Sequence, residues 1–119
     1  MRIEGPAVRA TIFVDGNDLW HHRPLCSEIV HRAHKHGLAG ATVLRGVEGF
    51  TATSAIHRER FLAVAEHLPV TIVIVDSRQQ IAAFLDSLDG MLAKGAVVLD
   101  EVEVVRYLPD PHPGRRSRT

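Results

Sequence analysis

The chain is nearly devoid of cysteine and carries no net charge. Cys26 is the single cysteine among 119 residues, which excludes an intrachain disulfide and a zinc cage built on thiolates. Neither sign of charge is in excess, since 14 basic residues stand against 14 acidic ones. No global field therefore steers the chain toward nucleic acid or an anionic membrane. No apolar run approaches the ~20 residues of a membrane span. The opening "MRIEGPAVRATIF" lacks an apolar signal-peptide core, because Glu4, Gly5 and Pro6 interrupt it. A cytoplasmic location without direct membrane insertion is expected. Neither G-x-x-x-x-G-K nor G-x-G-x-x-G occurs, which removes a Walker loop and a dinucleotide fingerprint. The strand-like segments also lack the basic and aromatic pattern of an RNA-stacking sheet.

What is present is a core. Hydrophobic residues make up 45% of the chain, enough to fold, and the length suits one domain. That domain is expected over residues 1–108, followed by a mobile tail over 109–119, "PDPHPGRRSRT". The tail's prolines and Arg115, Arg116 and Arg118 leave it nothing to bury.

The hydrophobic pattern gives an order of elements. Val8 to Gly16 alternates as a strand with Ala10, Ile12 and Val14 on one side. The next segment reads as a helix: Pro24 suits its first turn, Leu25, Ile29, Val30 and Ala33 recur at helical spacing, and Gly37 stops it. Ala41 to Phe50 is a second strand, with Val43 and Val47 on one face and Thr42 and Leu44 on the other. Leu68 to Asp76 is a nearly unbroken β-branched run, as in a central strand. A second helix follows, with Ser77 capping toward Gln80 and an inward stripe of Ile81, Phe84, Leu85, Leu88 and Leu92 up to Gly95. "AVVLDEVEVVRYL" closes the chain as a strand pair or a bent strand, kinked at Asp100 and Glu101. Residues 54–67 combine helix-forming composition with a topology that favours a returning strand, and the strand is preferred.

The sum is an α+β, ferredoxin-like βαββαβ order: an antiparallel four-stranded sheet with two helices on one face. Its central strands are apolar on both sides, so the face without helices is expected to be covered by another subunit.

The stretch "AGATVLRGVEGF", preceded by "GNDLWHHRPL" and followed by "HLPVTIVIVDS", resembles a family of PII-like signalling proteins catalogued as domain of unknown function 190. The resemblance runs from about Arg9 to Tyr107. It implies a PII-like homotrimer with its sheets facing inward. It also implies a small anionic effector, an adenine nucleotide or another anion, held in clefts between subunits. The loop after the second strand, over Gly46 to Ala55, would then engage a protein or membrane-transporter partner. Gly49 and Phe50 are followed by Thr51, where signalling PII proteins carry Gly-Phe-Gly. Lys94 and Gly95 stand where PII proteins have a glycine- and lysine-rich phosphate turn, and Arg106 matches one of the basic residues of the PII last strand.

Within this frame the ligand-binding residues are Arg45, Gly46, Glu48, Gly49, Phe50, Arg58, Arg60 and Arg106. Glycines around Glu48 can free main-chain N–H groups for an anion, Arg45 supplies a charged fork and Phe50 an apolar wall. Alternatively the glycines form bulges that bend a strand, with Arg45 solvated. Arg58 and Arg60 share a face if their segment is extended. Trp20 can pack at a subunit boundary or stack on a base.

The chain has eight histidines. His31 and His34 lie at i, i+3 on one helical face with Glu28 nearby, which makes a metal-binding protein of the same fold the alternative reading. No nucleophile–base or acid–base pair stands out, since nothing orients His57 against Glu59. No enzymatic activity and no obligatory cofactor are expected.

Overall fold

The computed structural model describes residues 3–51, 68–92 and 95–107. The returning segment 54–67, with Arg58 and Arg60, lies outside the described residues, as do Lys94 and the 109–119 tail. The elements run β1 (Gly5–Asp15), β2 (Leu19–Trp20), β3 (Arg23–Pro24), α1 (Leu25–Lys35), β4 (Thr42–Arg45), β5 (Pro69–Asp76), α2 (Arg78–Ser87) and β6 (Ala96–Val104). Four of the strands form one antiparallel sheet in the order β4-β5-β1-β6. Each helix thus links two strands separated by a third, which is the ferredoxin-like α+β plan.

The register assigns every side chain to a face. Ala10, Ile12 and Val14 of β1 lie opposite Ile74, Ile72 and Val70 of β5, and all six are essentially inaccessible. Both helices lie over this side. Leu25, Cys26, Ile29 and Ala33 of α1 are buried, as are Ile81 and Phe84 of α2, with Leu88 and Met91 beyond its end. These residues form one core cluster, and burying each large aliphatic or aromatic side chain contributes about 1.5–3 kcal/mol.

Helix boundaries follow local chemistry. Gly37 N–H bonds the His34 carbonyl at 3.1 Å and Leu38 N–H bonds the Ala33 carbonyl at 3.2 Å. This is a Schellman motif, and Leu38 packs on the core as the motif requires. The Ser77 hydroxyl accepts from the Gln80 N–H at 3.2 Å and starts α2 where the cap predicts.

Five sequence expectations need correction. The second strand, expected from Ala41 to Phe50, runs only over Thr42–Arg45, because the chain leaves the ladder once the Gly46 N–H has bonded the Pro69 carbonyl. Pro24 stands before α1 rather than in its first turn: it is extended (ψ 127) and pairs with Leu19. The ribbon β2–β3 has no counterpart in the sequence pattern, and its tip holds His21 and His22 at φ 49 and 69. Two positive values match the primed turn that a two-residue hairpin needs, although Asn-Gly is its usual sequence. α2 ends at Ser87, not Gly95. β6 is neither a strand pair nor kinked, and stays in continuous register with β1 from Ala96↔Phe13 to Val104↔Gly5. Asp100 and Glu101 merely point to opposite faces: Asp100 takes a two-pronged bond from Arg9 (3.2 and 2.7 Å) and Glu101 pairs with Arg78 at 2.6 Å. The bonds to Asp100, reinforced by its charge, push the Arg9 guanidinium further above its ordinary value.

The face without helices carries Phe13, Val73, Val75, Val98 and Leu44, interleaved with Thr11, Thr42 and Thr71. It is less uniformly apolar than the β-branched run predicts. Phe13, Leu44 and Val98 are nonetheless 38%, 55% and 49% exposed. Among the described residues no helix is long and apolar enough to cross a membrane.

Candidate functional site

The loop that leaves β4 is rooted at one end of the sheet. Gly46 N–H bonds the Pro69 carbonyl at 2.8 Å, so its amide extends the β4–β5 ladder and is not available to an anion. A Cβ on Gly46 would lie 3.1 Å from the Pro69 ring and 3.2 Å from its carbonyl oxygen. The glycine is thus a close-approach residue. Gly49, at φ 146, would also press a Cβ against Pro69 at 3.1 Å. The two glycines lay the loop base flat across Pro69, and Pro69 is what specifies them.

A second tie comes from β1. Asp15 is buried, accepts the Asn17 N–H at 2.8 Å and faces the Thr51 hydroxyl at 3.3 Å. Gly16 N–H bonds the Leu68 carbonyl at 2.9 Å. Between these anchors the chain stands out from the body: Val47 is 94% and Phe50 72% exposed, with Glu48 exposed between them.

Arg45 does not face this loop base from the open side of the sheet. Its register partner Val70 belongs to the helix-covered face, and Arg45 lines a groove of about 650 Å³ between β4 and α1. Cys26, Val30 and Val43 line the groove with apolar surface, and Ser27, His31, His34 and Arg45 line it with polar groups. Sequence reasoning names Arg45 and the two histidines in separate hypotheses. The alternation of β4 puts Arg45 on the Val43 side, but which flank of α1 lies over it is a tertiary fact.

Arg106 lies past β6, whose last ladder partner is Gly5 at the start of β1. The Gly46–Thr51 segment adjoins Asp15 at the other end of β1. β1 has 11 residues, so these ends are about 34 Å apart at the usual rise per strand residue. One protomer does not bring Arg106 and Phe50 together. Nor does it assemble a metal centre among the described residues, where no group of three or more His, Cys, Asp and Glu is placed to hold an ion. Glu28 instead lies 3.7 Å from Arg32. Trp20 is partly buried against the core and stacks on His21, with ring centroids 4.3 Å apart.

Comparison with known proteins agrees with this architecture. The model of the DUF190 family, "Uncharacterized ACR, COG1993", matches residues 7–104. A UPF0166 protein of Aquifex aeolicus (strain VF5) is 31% identical over 94 residues, which are 79% of this chain and 89% of that protein. Among solved structures, the chain superposes with a TM-score of 0.61 on CPII, a nitrogen regulatory PII-like protein from Thiomonas intermedia K12 bound to ADP, AMP and bicarbonate. Identity there is 13%, and 85% of this chain and 90% of CPII are covered. A Thermus thermophilus protein described as a putative PII-like signaling protein gives a TM-score of 0.57 at 20% identity, covering 85% of this chain and 91% of that one. The chain therefore belongs to the DUF190 family, and its protomer has the PII-like fold.

Proposed function

We propose that the chain is a non-enzymatic PII-like regulatory protein of the cytoplasm. It assembles as a homotrimer through the open face of its sheet. A small anionic effector, a nucleotide or another anion, binds in clefts between neighbours. Gly46, Glu48, Gly49 and Phe50 come from one protomer, Arg58 and Arg60 follow in sequence, and Arg106 is contributed by the neighbour, while Arg45, expected from the sequence to join them, faces the α1 side of the sheet. The effector changes the order of the loop after β4, and the loop acts on a protein or membrane-transporter partner.

The observation that carries this reading is the loop base. Val47 and Phe50 stand in solvent on a segment whose two ends are firmly tied, by Gly46 to Pro69 and by Thr51 to Asp15. Apolar side chains held out by a rigid scaffold are characteristic of contact surfaces. The fold shared with CPII, which is described as bound to ADP, AMP and bicarbonate, supports the choice of ligands.

Native mass spectrometry tests the assembly, with three times the 13.1 kDa protomer mass expected. A thermal-shift panel of ADP, AMP and bicarbonate tests the effector. A ligand at a hundred times its Kd stabilises by about 2.7 kcal/mol, a readily visible shift. A monomer that none of these compounds stabilises refutes the proposal.

A further inference from the structure

We infer that the groove between α1 and β4 is a separate binding site for a small organic anion, one with an apolar body and a phosphate or carboxylate end. It lies within one protomer and does not rest on the trimeric reading.

The chemistry of the walls selects this ligand. Arg9, Arg32 and Arg78 each face a carboxylate, at 2.7, 3.7 and 2.6 Å. Arg45 has no hydrogen-bond or carboxylate partner among the described residues, and no acidic residue lines its groove. An unpaired guanidinium beside two imidazoles and a hydroxyl presents several donors that one oxyanion can engage together. Neutral imidazole can donate one N–H, so the site does not require charged histidines. Among these donors Val30 on α1, Val43 on β4 and the buried Cys26 offer apolar surface, and about 650 Å³ is ample for a ring-sized body. A bare inorganic anion would use half of the site.

The groove also adjoins the loop. Arg45 directly precedes Gly46, whose N–H holds the loop base to Pro69. A ligand gripping Arg45 acts one residue from that anchor.

The test uses phenyl phosphate as probe, with inorganic phosphate and phenol as comparison arms, added to the full chain. Histidine side-chain NMR provides the readout, with signals assigned from His31→Gln and His34→Gln variants. The expected result is a saturable shift of His31 and His34 with phenyl phosphate, while His21 and His22 stay still. Inorganic phosphate should bind at least ten-fold more weakly, and phenol should give no saturable shift. Arg45→Gln, its fold checked by unchanged Trp20 fluorescence, should weaken phenyl phosphate binding at least ten-fold. No saturable shift, a shift that Arg45→Gln leaves unaltered, or inorganic phosphate binding as tightly as phenyl phosphate would each overturn the inference. Because the intersubunit cleft is read by assembly mass and nucleotide stabilisation, either site can fail without the other.

Discussion

Asp76 offers the sharpest test of how the fold is fastened. Its side chain is fully buried at the end of β5, and its two oxygens accept main-chain N–H groups from Ala39 at 2.8 Å and Ser77 at 2.7 Å. One bond fixes the connection from α1 to β4, and the other fixes the start of α2. Asp76→Ala removes both acceptors and leaves both N–H groups, on half-buried residues, without a protein partner. At about 1–3 kcal/mol for each orphaned donor, the loss is roughly 2–6 kcal/mol from a total of about 5–15. Asp76→Asn keeps one acceptor and turns an NH₂ toward the other N–H, so it should lose about half as much. Urea unfolding followed by Trp20 fluorescence, at one fixed protein concentration because assembly adds to stability, reads this directly. With a slope of ~2 kcal/mol/M the Asp76→Ala midpoint falls by about 1–3 M. Hydrogen exchange at the Ala39 and Ser77 amides should accelerate before the rest of the sheet. An Asp76→Ala midpoint close to that of the parent, or an Asn variant weaker than the Ala variant, would show that the carboxylate fastens nothing.

Gly95 adopts φ +94, and a Cβ there would sit 2.4 Å from the Phe13 carbonyl oxygen. Gly95→Ala should therefore cost at least about 2 kcal/mol in the same urea experiment, through clash and a positive-φ penalty together. Phe13 is 38% exposed on the open face. Phe13→Glu should dissociate the proposed trimer in sedimentation velocity while the protomer's far-UV circular dichroism is retained; an oligomer that persists would show that this face is not the contact.

What can be read in advance depends on whether the cause is local. The alternation of β1, the β-branched run of β5 and the four-residue spacing of Leu25, Ile29 and Ala33 reflect contact with a core, so the element order is legible. The Ser77 cap and the Gly37 stop are legible for a similar reason, since each acts within a few residues. The end of α2 is not. Leu88, Met91 and Leu92 continue the apolar content beyond Ser87 because the turn after the helix packs on the same core, and composition alone extends the helix to Gly95. The straight course of β6 is hidden for another reason. Asp100 and Glu101 look like a break until Arg9 and Arg78, remote in sequence, are seen to pair with them. At the candidate site the glycines stand out, but their partner Pro69 lies across a strand pair. The Gly46 amide, free for an anion in the sequence reading, is committed to that pairing. The turn at His21–His22 carries no residue signal for positive φ, and only its geometry reveals it.

The separation of Arg106 from Phe50 turns the proposed cleft into a question of stoichiometry. Both residues are exposed, and β1 holds them at opposite ends of one sheet. A small ligand touching both must take them from different chains. In a cyclic assembly each contact is heterologous, with one end of a protomer meeting the other end of its neighbour. Phe50→Ala and Arg106→Ala chains should then each lose effector stabilisation when alone. Unfolded together and refolded as an equal mixture, they should recover it in about a quarter of the clefts, those pairing an intact Phe50 with an intact Arg106. A ligand site confined to one protomer has no such route, because every chain in the mixture carries one defect. Calorimetric titration of the mixture with AMP measures the fraction of restored sites. Failure to restore any site, with both variants folded and assembled, would remove the shared cleft from the functional reading.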